Sequence, residues 1–205
     1  MSKLQGLYVI TDEYICKGKK HREIAESALK GGAKIIQLRD KNCSDRYFYE
    51  AGLKIKELCK EYGAVFIVND RVHIALALDA DGVNVGQSDL PCYVVKEILG
   101  KNKIVGISAS TIEEAVQAEK DGADYIGFGP VFPTETKKDC ECVSGLEILK
   151  QVKESVNVPV AAIGGINKNN IGVVSETGAD MCCVVSAVVC ENNMTEATEN
   201  LVKLI

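Results

Sequence analysis

The strongest constraint on the fold is a short pattern that occurs four times, in which glycine and alanine precede an apolar, largely β-branched run. The copies are Gly31-Gly-Ala-Lys-Ile-Ile-Gln-Leu, Gly63-Ala-Val-Phe-Ile-Val, Gly122-Ala-Asp-Tyr-Ile-Gly-Phe and Gly178-Ala-Asp-Met-Cys-Cys-Val-Val. Each copy follows a helical pattern, and glycine directly after a helix suits the left-handed conformation of a C-cap. Short continuous apolar runs suit strands buried on both faces, as in a parallel sheet. The pattern therefore predicts a repeated helix–strand unit.

Eight such strands can be identified along the chain, with helical patterns between them. The predicted strands are residues 7–11, 35–39, 65–69, 82–86, 104–108, 125–129, 160–164 and 181–186. Helices are predicted over 23–29, 49–59, 112–118, 147–152 and 195–204, and another ends at Ile98-Leu99. Eight βα units in 205 residues predict an α/β fold, a compact (β/α)8 TIM barrel with residues 1–205 as a single catalytic domain. A doubly wound open sheet is the alternative, but no G-x-G-x-x-G follows the first strand.

The composition limits the class of protein. Hydrophobic residues make up 46% of the chain, which is enough for one sizeable core. A net charge of −5 argues against a general nucleic-acid partner. Neither an N-terminal signal nor an apolar run of about 18 residues is visible, so we expect no membrane association and a cytoplasmic location.

The cysteines do not predict a disulfide framework or a zinc site. There are nine, an odd number, and no C-x-x-C pair occurs. Cys182 and Cys183 lie in a predicted apolar strand, where we expect them to pack as small hydrophobic side chains. Free thiols fit a reducing compartment.

In a barrel of this kind the chemistry lies at the C-terminal ends of the strands. The second strand ends in Gln37-Leu-Arg-Asp-Lys41, and its alternation sends Gln37, Arg39 and Lys41 to the same side. Polar groups in an apolar strand need partners, so they indicate an anionic ligand. The alternative is a structural ion pair between Arg39 and a neighbouring carboxylate.

Two aspartates follow the next two strands. Asp70 comes directly after the third strand, and Asp89 follows the fourth. Carboxylates beside anion-binding cations suit Mg²⁺, which keeps several waters and often takes only one or two protein carboxylates. The alternative for Asp89 is an N-cap before Leu90-Pro91, although capping would not explain Asp70.

Polar and glycine residues follow the fifth, seventh and eighth strands. Ser108 is a candidate hydroxyl donor, whereas Ser110 or Thr111 is predicted to cap the next helix. Gly165 and the Val185-Ser186 pair fit a phosphate site of the type formed after the last two barrel strands, with a short extra helix. The alternative for Gly164-Gly165 is a tight turn.

The sixth strand leads into a loop rich in hydroxyls and lysines. This segment contains Thr134, Thr136, Lys137 and Lys138 after Gly129-Pro130. Hydroxyls and ammonium groups hold oxyanions, although an ordinary solvated loop is the alternative. Together the strand ends predict two anion sites and one metal site, which suits the joining of a phosphate and a diphosphate substrate.

These segments, taken in order, resemble the thiamine-phosphate synthase family. The matching motifs are Leu7-Tyr-Val-Ile-Thr-Asp12, Gln37-Leu-Arg-Asp-Lys41, Val68-Asn-Asp-Arg71, Ala80-Asp-Gly-Val, Gly86-Gln-Ser-Asp-Leu90, Gly106-Ile-Ser, Gly129-Pro-Val-Phe-Pro-Thr134 and Ile163-Gly-Gly-Ile166. The resemblance implies a transferase that condenses 4-amino-2-methyl-5-hydroxymethylpyrimidine diphosphate with a thiazole phosphate. Thiamine phosphate and pyrophosphate would be the products, and Mg²⁺ the cofactor. The carboxylation of the thiazole and a homo-oligomeric state are left open.

The resemblance also implies a role for individual residues. It assigns the pyrimidine diphosphate to Gln37, Leu38, Arg39, Asp40, Lys41, Asn69, Ser108 and Lys137, and the thiazole phosphate to Thr134, Glu135, Thr136, Gly165, Val185 and Ser186. Asp70 and Asp89 would hold the metal, and Lys137, Arg39 and Ser108 would be catalytic. Lys138 has no assigned role. One departure from the family is Asn84, which stands where histidine is common.

Two other functions are open to a barrel of this kind. One is a thiazole-phosphate tautomerase or regulatory paralogue, and the other is a non-catalytic barrel that binds a phosphate ligand. Neither explains why the sequence carries the cations Arg39, Lys41 and Lys137 together with Asp70 and Asp89.

Overall fold

The computed structural model describes residues 4–15, 18–134 and 143–205, and its eight parallel strands close into a barrel. The strands are β1 (Gly6–Thr11), β2 (Ile35–Leu38), β3 (Val65–Asn69), β4 (Gly82–Val85), β5 (Ile104–Ala109), β6 (Tyr125–Phe128), β7 (Val160–Ala162) and β8 (Met181–Val184). Each strand pairs with the next, and β8 pairs with β1. The predicted TIM barrel is confirmed, and all eight predicted strands are present with ends shifted by at most two residues.

Helices alternate with the strands and pack around the barrel. They are α1 (His21–Lys30), α2 (Asp45–Tyr62), α3 (Val72–Leu78), α4 (Cys92–Leu99), α5 (Ile112–Lys120), α6 (Gly145–Ser155), α7 (Ile171–Ser175), α8 (Ser186–Val189) and α9 (Met194–Val202). Gly63 ends α2 in the predicted left-handed conformation, with φ of 65°. Within the described ranges, no helix combines the length and the apolar character that crossing a bilayer requires.

The apolar side chains form two layers. The larger layer lies between the strands and the helices, and a smaller cluster that includes Tyr8, Ile35 and Met181 fills the barrel interior. Cys182 belongs to the outer layer and Cys183 to the inner one, so both pack as hydrophobic side chains. Burial raises the pKa of Cys182 to about 11, which keeps this thiol protonated and unreactive.

Three aspartates connect neighbouring strands at the N-terminal end of the barrel. Each precedes an even-numbered strand, and its carboxylate accepts the backbone N–H at or beside the start of the preceding strand. The pairs are Asp81 with Phe66 (2.8 Å), Asp124 with Val105 (2.7 Å) and Asp180 with Val160 (2.8 Å). Lys96 and Lys153 donate to Asp124 and Asp180, both at 2.6 Å. This end of the barrel is therefore fixed by structural contacts, and the polar side chains predicted to form a site lie at the opposite end.

Candidate active site

A cavity of about 470 Å³ opens at the C-terminal ends of the strands. Its lining includes the predicted site residues Gln37, Arg39, Lys41, Asn69, Asp70, Asp89, Ser108, Thr134, Gly165, Val185 and Ser186. The structure thus brings together residues of both predicted anion sites and the predicted metal pair. Glu135, Thr136, Lys137 and Lys138 lie outside the described residues.

Two residues of the second strand end do not line this cavity. Leu38 is buried in the layer between the barrel and the helices. Asp40 is also buried, and its Oδ1 accepts the N–H groups of Asn42 (2.9 Å) and Cys43 (3.0 Å). The alternation that sends Gln37, Arg39 and Lys41 into the cavity turns these two side chains away from it. The side chains of Leu38 and Asp40 therefore do not reach the cavity, and they do not support the binding role that the resemblance implies for these residues.

Arg39 is both part of the cavity wall and part of an ion pair. Its Nη1 lies 3.0 Å from Oδ2 of Asp12, and its backbone N–H donates to Oγ1 of Thr11 over 3.4 Å. Thr11 is the last residue of the neighbouring strand β1, and Asp12 follows it. The two interpretations that the sequence left open for Arg39 are thus compatible, since the ion pair holds the guanidinium at the cavity.

A buried histidine connects the ends of β1 and β2 behind Arg39. His21 Nδ1 lies 2.8 Å from Thr11 Oγ1, and its Nε2 lies 3.4 Å from Asp40 Oδ2 and 3.8 Å from Glu13 Oε1. Burial alone would raise the pKa of Asp40, but hydrogen bonds from Asn42, Cys43 and His21 outweigh it and lower that pKa. The cluster fixes the turn that carries Lys41. No sequence pattern marks His21, which is a single histidine at a helix start.

Arg71 attaches the same turn to the end of β3. Its Nη2 donates to the carbonyls of Asp40 (3.1 Å) and Cys43 (2.8 Å), and its Nη1 lies 2.8 Å from Oδ1 of Asp45. The guanidinium carbon also lies 4.5 Å from the ring centre of Phe48. Because Arg71 follows Asp70 directly, these bonds set the position of Lys41 relative to Asp70.

Asp70 and Asp89 form a pair of neighbouring carboxyl groups. Burial raises the pKa of Asp70 most, and the negative charge of Asp89 raises it further, while Lys41 and Asn69 oppose the shift. The backbone of Asp70 is left-handed, with φ of 58°. Asp89 does not cap α4, whose N-cap is Pro91, and its Oδ2 instead accepts the N–H of Gly86 at 2.7 Å. A buried carboxyl group with a second carboxylate beside it makes a favourable place for a cation.

A chain of hydrogen bonds crosses the barrel beneath the cavity. Gln37 Nε2 donates to Tyr8 Oη (2.6 Å), the Tyr8 and Tyr125 hydroxyls lie 3.0 Å apart, and Tyr125 donates to Asn84 Oδ1 (3.0 Å). Asn84 Nδ2 then donates to Ser108 Oγ (3.0 Å). Thr111 caps α5 by accepting the N–H of Glu114, so Ser108 takes no part in capping. The two tyrosines were not predicted, because each reads as an ordinary member of an apolar strand.

The loop after β6 packs closely on Gly164 and Gly165. Val131 and Phe132 donate their N–H groups to the carbonyls of Ile163 (2.9 Å) and Gly164 (3.0 Å). A Cβ at Gly165 would lie 2.5 Å from the carbonyl oxygen of Pro133, and φ there is 65°. The Gly164-Gly165 turn therefore needs glycine to admit this loop. The contact brings Thr134 to a cavity wall that it shares with Gly165 and Ser186.

Comparison with known proteins identifies one family and close relatives. The family model described as thiamine monophosphate synthase matches residues 7–188. Thiamine-phosphate synthase from Methanocella arvoryzae is 49% identical over 199 residues, covering 97% of this chain and 94% of the relative. The protein of that name from Clostridium tetani is 46% identical over 195 residues, covering 95% and 93%.

A solved structure shows the same architecture. Thiamine phosphate pyrophosphorylase from Pyrococcus furiosus superposes with a TM-score of 0.91 at 49% identity, covering 98% of this chain and 95% of that one. The match therefore extends over nearly the whole of both chains.

Proposed function

The chain belongs to the thiamine monophosphate synthase family and has that family's transferase activity, and we propose that the reaction takes place in the cavity at the C-terminal strand ends. The reaction joins 4-amino-2-methyl-5-hydroxymethylpyrimidine diphosphate to a thiazole phosphate and releases thiamine phosphate and pyrophosphate. The observation that carries the proposed location is the division of the cavity into two parts. Cations and carboxylates lie at β2 to β4, and glycines and hydroxyls lie at β6 to β8.

The part at β2 to β4 suits the diphosphate. Arg39 and Lys41 supply positive charge, and Asn69 supplies an amide at the end of β3. Arg39 is held by Asp12, and the turn that carries Lys41 is held by Arg71 and His21, so little ordering remains to be done when the anion binds. We propose that Lys137 adds a further charge to this site.

Asp70 and Asp89 fit a magnesium ion. Burial and the neighbouring Asp89 carboxylate raise the pKa of Asp70, and a divalent cation would offset both effects. Among the described residues no set of three histidine, cysteine or acidic side chains is arranged to hold a metal. Two carboxylates are sufficient for Mg²⁺, which completes its octahedron with water and substrate phosphate. When bound, the ion would stabilise negative charge on the leaving pyrophosphate.

The part at β6 to β8 suits the thiazole phosphate. Gly165 and the Val185-Ser186 pair lie at the ends of β7 and β8, and the short helix α8 begins at Ser186. Glycine admits an anion close to the backbone, and Thr134 and Ser186 add hydroxyl donors. We propose that Glu135 and Thr136 complete this site.

The chemistry requires charge stabilisation and positioning rather than a protein nucleophile. The bond between the pyrimidine methylene carbon and the diphosphate oxygen breaks, and the electron pair leaves with pyrophosphate. The aminopyrimidine ring stabilises the resulting cation, and the thiazole nitrogen donates its lone pair to form the new C–N bond. Arg39, Lys41 and Lys137 stabilise the leaving group, and Ser108 donates a hydrogen bond. Holding the two reactants in register contributes roughly 7–11 kcal/mol in well-oriented systems.

One assay tests this function against the two alternatives. The protein is mixed with both substrates and Mg²⁺, and pyrophosphate and thiamine phosphate are measured. A synthase forms both products in equal amounts. A tautomerase or a phosphate-binding barrel forms neither, and that result would refute the proposal. Using carboxylated and uncarboxylated thiazole phosphate in parallel identifies the thiazole substrate.

Three broader expectations accompany this function. We propose that residues 1–205 act as one catalytic domain. Removal of either the first strand, β1, or the last helix, α9, should therefore abolish the activity. We propose a cytoplasmic location, supported by the buried free thiols of Cys59, Cys92, Cys182 and Cys183. We also propose a homo-oligomer, which sedimentation or light scattering would test.

A further inference from the structure

The hydrogen-bond chain beneath the cavity has a direction that can be worked out from its donors. A phenol has a single hydrogen, and Tyr125 gives it to Asn84 Oδ1. Tyr125 can therefore only accept from Tyr8, so Tyr8 is the donor in the bond between the two hydroxyls. Tyr8 in turn accepts from the amide nitrogen of Gln37. Each bond in the chain thus points from Gln37 towards Ser108.

The direction determines what the two ends offer to a ligand. At one end Ser108 Oγ accepts from Asn84, so the serine hydrogen is not used by the chain. At the other end Gln37 uses its amide nitrogen, which leaves its amide oxygen as the acceptor. Both residues line the cavity. The hydrogen-bond chain therefore offers the cavity one acceptor, on β2, and one donor, on β5.

The surroundings keep the chain in place. Tyr8 and Tyr125 are almost completely buried, and burial raises the pKa of both phenols, so each keeps its hydrogen at neutral pH. Gly106 faces Tyr125 across the β5–β6 pairing, and any side chain there would collide with the tyrosine ring. Asn84 can connect the phenol to the serine because its amide accepts on one atom and donates on the other.

We propose that Tyr125 is a positioning residue for this reaction, which acts through Asn84 to keep the hydrogen of Ser108 available to the pyrimidine diphosphate. Tyr8 has the corresponding effect on Gln37, whose amide oxygen it leaves available for an amino group. The inference rests on the proposed function, since it places the aminopyrimidine in this cavity. An aminopyrimidine diphosphate carries both the amino donor and the acceptor atoms that the two ends require.

A double-mutant cycle between Tyr125 and Ser108 tests the proposal. In Tyr125→Phe the Asn84 oxygen loses its donor, and the amide is free to rotate and accept from Ser108 instead. We expect kcat/KM for the pyrimidine diphosphate to fall about 10-fold or more in Tyr125→Phe and to a similar extent in Ser108→Ala, with the KM for the thiazole phosphate unchanged in both. The double variant should be no worse than Ser108→Ala alone, because Tyr125 acts through the serine. Tyr93→Phe, an exposed tyrosine outside the cavity, is the matched control and should behave as wild type.

A second variant tests the direction without removing an aromatic hydroxyl. In Asn84→Asp the carboxylate can only accept, so it takes the hydrogen of Ser108, and we expect the same loss of kcat/KM as in Ser108→Ala. If the losses of kcat/KM in Tyr125→Phe and Ser108→Ala multiply in the double variant, the two residues act independently and the proposal is overturned. A Tyr125→Phe protein with a lower Tm but unchanged kinetics would also overturn it, because the role would then be only structural. An inactive wild-type protein would instead refute the proposed function, so the two failures are distinguishable.

Discussion

Arg39 Nη1 lies 3.0 Å from Oδ2 of Asp12, and this ion pair joins the ends of two adjacent strands at the edge of the cavity. The arginine side chain is 18% exposed and that of Asp12 is 9% exposed, so water screens the pair only in part. The guanidinium is therefore held in place before any anion binds. If Arg39 binds the diphosphate as proposed, we expect Asp12 to support that binding without touching the substrate.

Asp12→Asn tests that support. The asparagine oxygen can still accept the N–H groups of Tyr14 and Ile15, as Asp12 Oδ1 does, so the change isolates the ion pair. Ordering a flexible side chain costs roughly 0.5–1.5 kcal/mol, so we expect the KM for the pyrimidine diphosphate to rise about 2- to 10-fold. The KM for the thiazole phosphate should not change. Steady-state kinetics with each substrate varied in turn provide the measurement, and tighter diphosphate binding would show that Asp12 competes for Arg39.

The pair of Asp70 and Asp89 predicts a conflict between stability and metal binding. Because burial and Asp89 raise the pKa of Asp70, the folded metal-free protein holds the proton more tightly than the unfolded chain. The contribution of this group to stability therefore declines as the pH rises from its ordinary value of 3.8 through the raised pKa, and it is unfavourable at neutral pH. We expect a bound Mg²⁺ ion to reverse this preference, with an affinity that weakens as the pH falls.

Asp70→Asn should separate the two effects. Asparagine tolerates the left-handed backbone at this position, so we expect the metal-free protein to gain stability of about 1 kcal/mol, or roughly 2–4 °C in Tm. Addition of Mg²⁺ should no longer raise the Tm, and the activity should lose its response to Mg²⁺. Thermal unfolding with and without Mg²⁺ at pH 7 is the measurement. Asp121→Asn, outside the cavity, serves as the control, and an unchanged response in Asp70→Asn would exclude Asp70 as a ligand.

Asp40 is expected to act on substrate binding through the turn that it holds. Asp40→Ala removes the acceptor for the N–H groups of Asn42 and Cys43 and for His21. We expect the free energy of unfolding to fall by about 2–4 kcal/mol. The KM for the pyrimidine diphosphate should rise, because Lys41 lies in this turn. Urea unfolding and steady-state kinetics measure the two effects, and a higher KM without loss of stability would argue for direct contact with the substrate.

The pH dependence of this contribution follows from the lowered pKa of Asp40. The stabilisation is fully present above its ordinary value of 3.8 and is lost as the pH falls below that value, through the lower folded-state pKa. Wild type and Asp40→Ala should therefore differ in stability at pH 7 and converge in acid. A constant difference down to the acid transition would show that the charge of Asp40 does not matter.

The barrel could be predicted from the sequence because its signals are local. Each strand is a short apolar run with glycine nearby, and a charged residue directly follows some of the strands where the run ends, as at Arg39 and Asp70. The C-terminal ends of parallel strands in a barrel lie on one face, and this rule is enough to predict that these residues form one site.

The contacts that hold the cavity residues in place could not be predicted, because they join residues that are remote in the chain. Tyr8 and Tyr125 are 117 residues apart, and their bond depends on the closure of the barrel rather than on any local pattern. The contacts of His21 could not be predicted for the same reason, since its partners Thr11 and Asp40 lie at the ends of two different strands. Sequence alternation placed Arg39 in the cavity but could not identify Asp12 as its partner.

Asp124 is expected to affect stability and not activity. It lies at the N-terminal end of the barrel, where it accepts from the buried Val105 N–H and from Lys96. Asp124→Ala leaves that N–H without a partner, so we expect a loss of about 2 kcal/mol in the free energy of unfolding. Asp124→Asn keeps an acceptor and should lose less. Both variants should retain wild-type kcat at a temperature where they are folded, and a change in kcat would show coupling between the two ends of the barrel.

Lys137 and Lys138, adjacent in the sequence between β6 and α6, offer a matched pair for testing leaving-group stabilisation. Negative charge develops on the pyrophosphate as it leaves, so its release requires cations nearby, and the proposed role of Lys137 is to supply one. Removing a single group of this kind from an active site typically lowers kcat about 100- to 1000-fold, and we expect Lys137→Ala to do so with Mg²⁺ saturating. Lys138→Ala removes the same charge one residue further on and should leave kcat close to wild type. A near-normal kcat in Lys137→Ala would assign the stabilisation to Arg39, Lys41 and the metal, and equal losses in both variants would show that only the net charge of the loop matters.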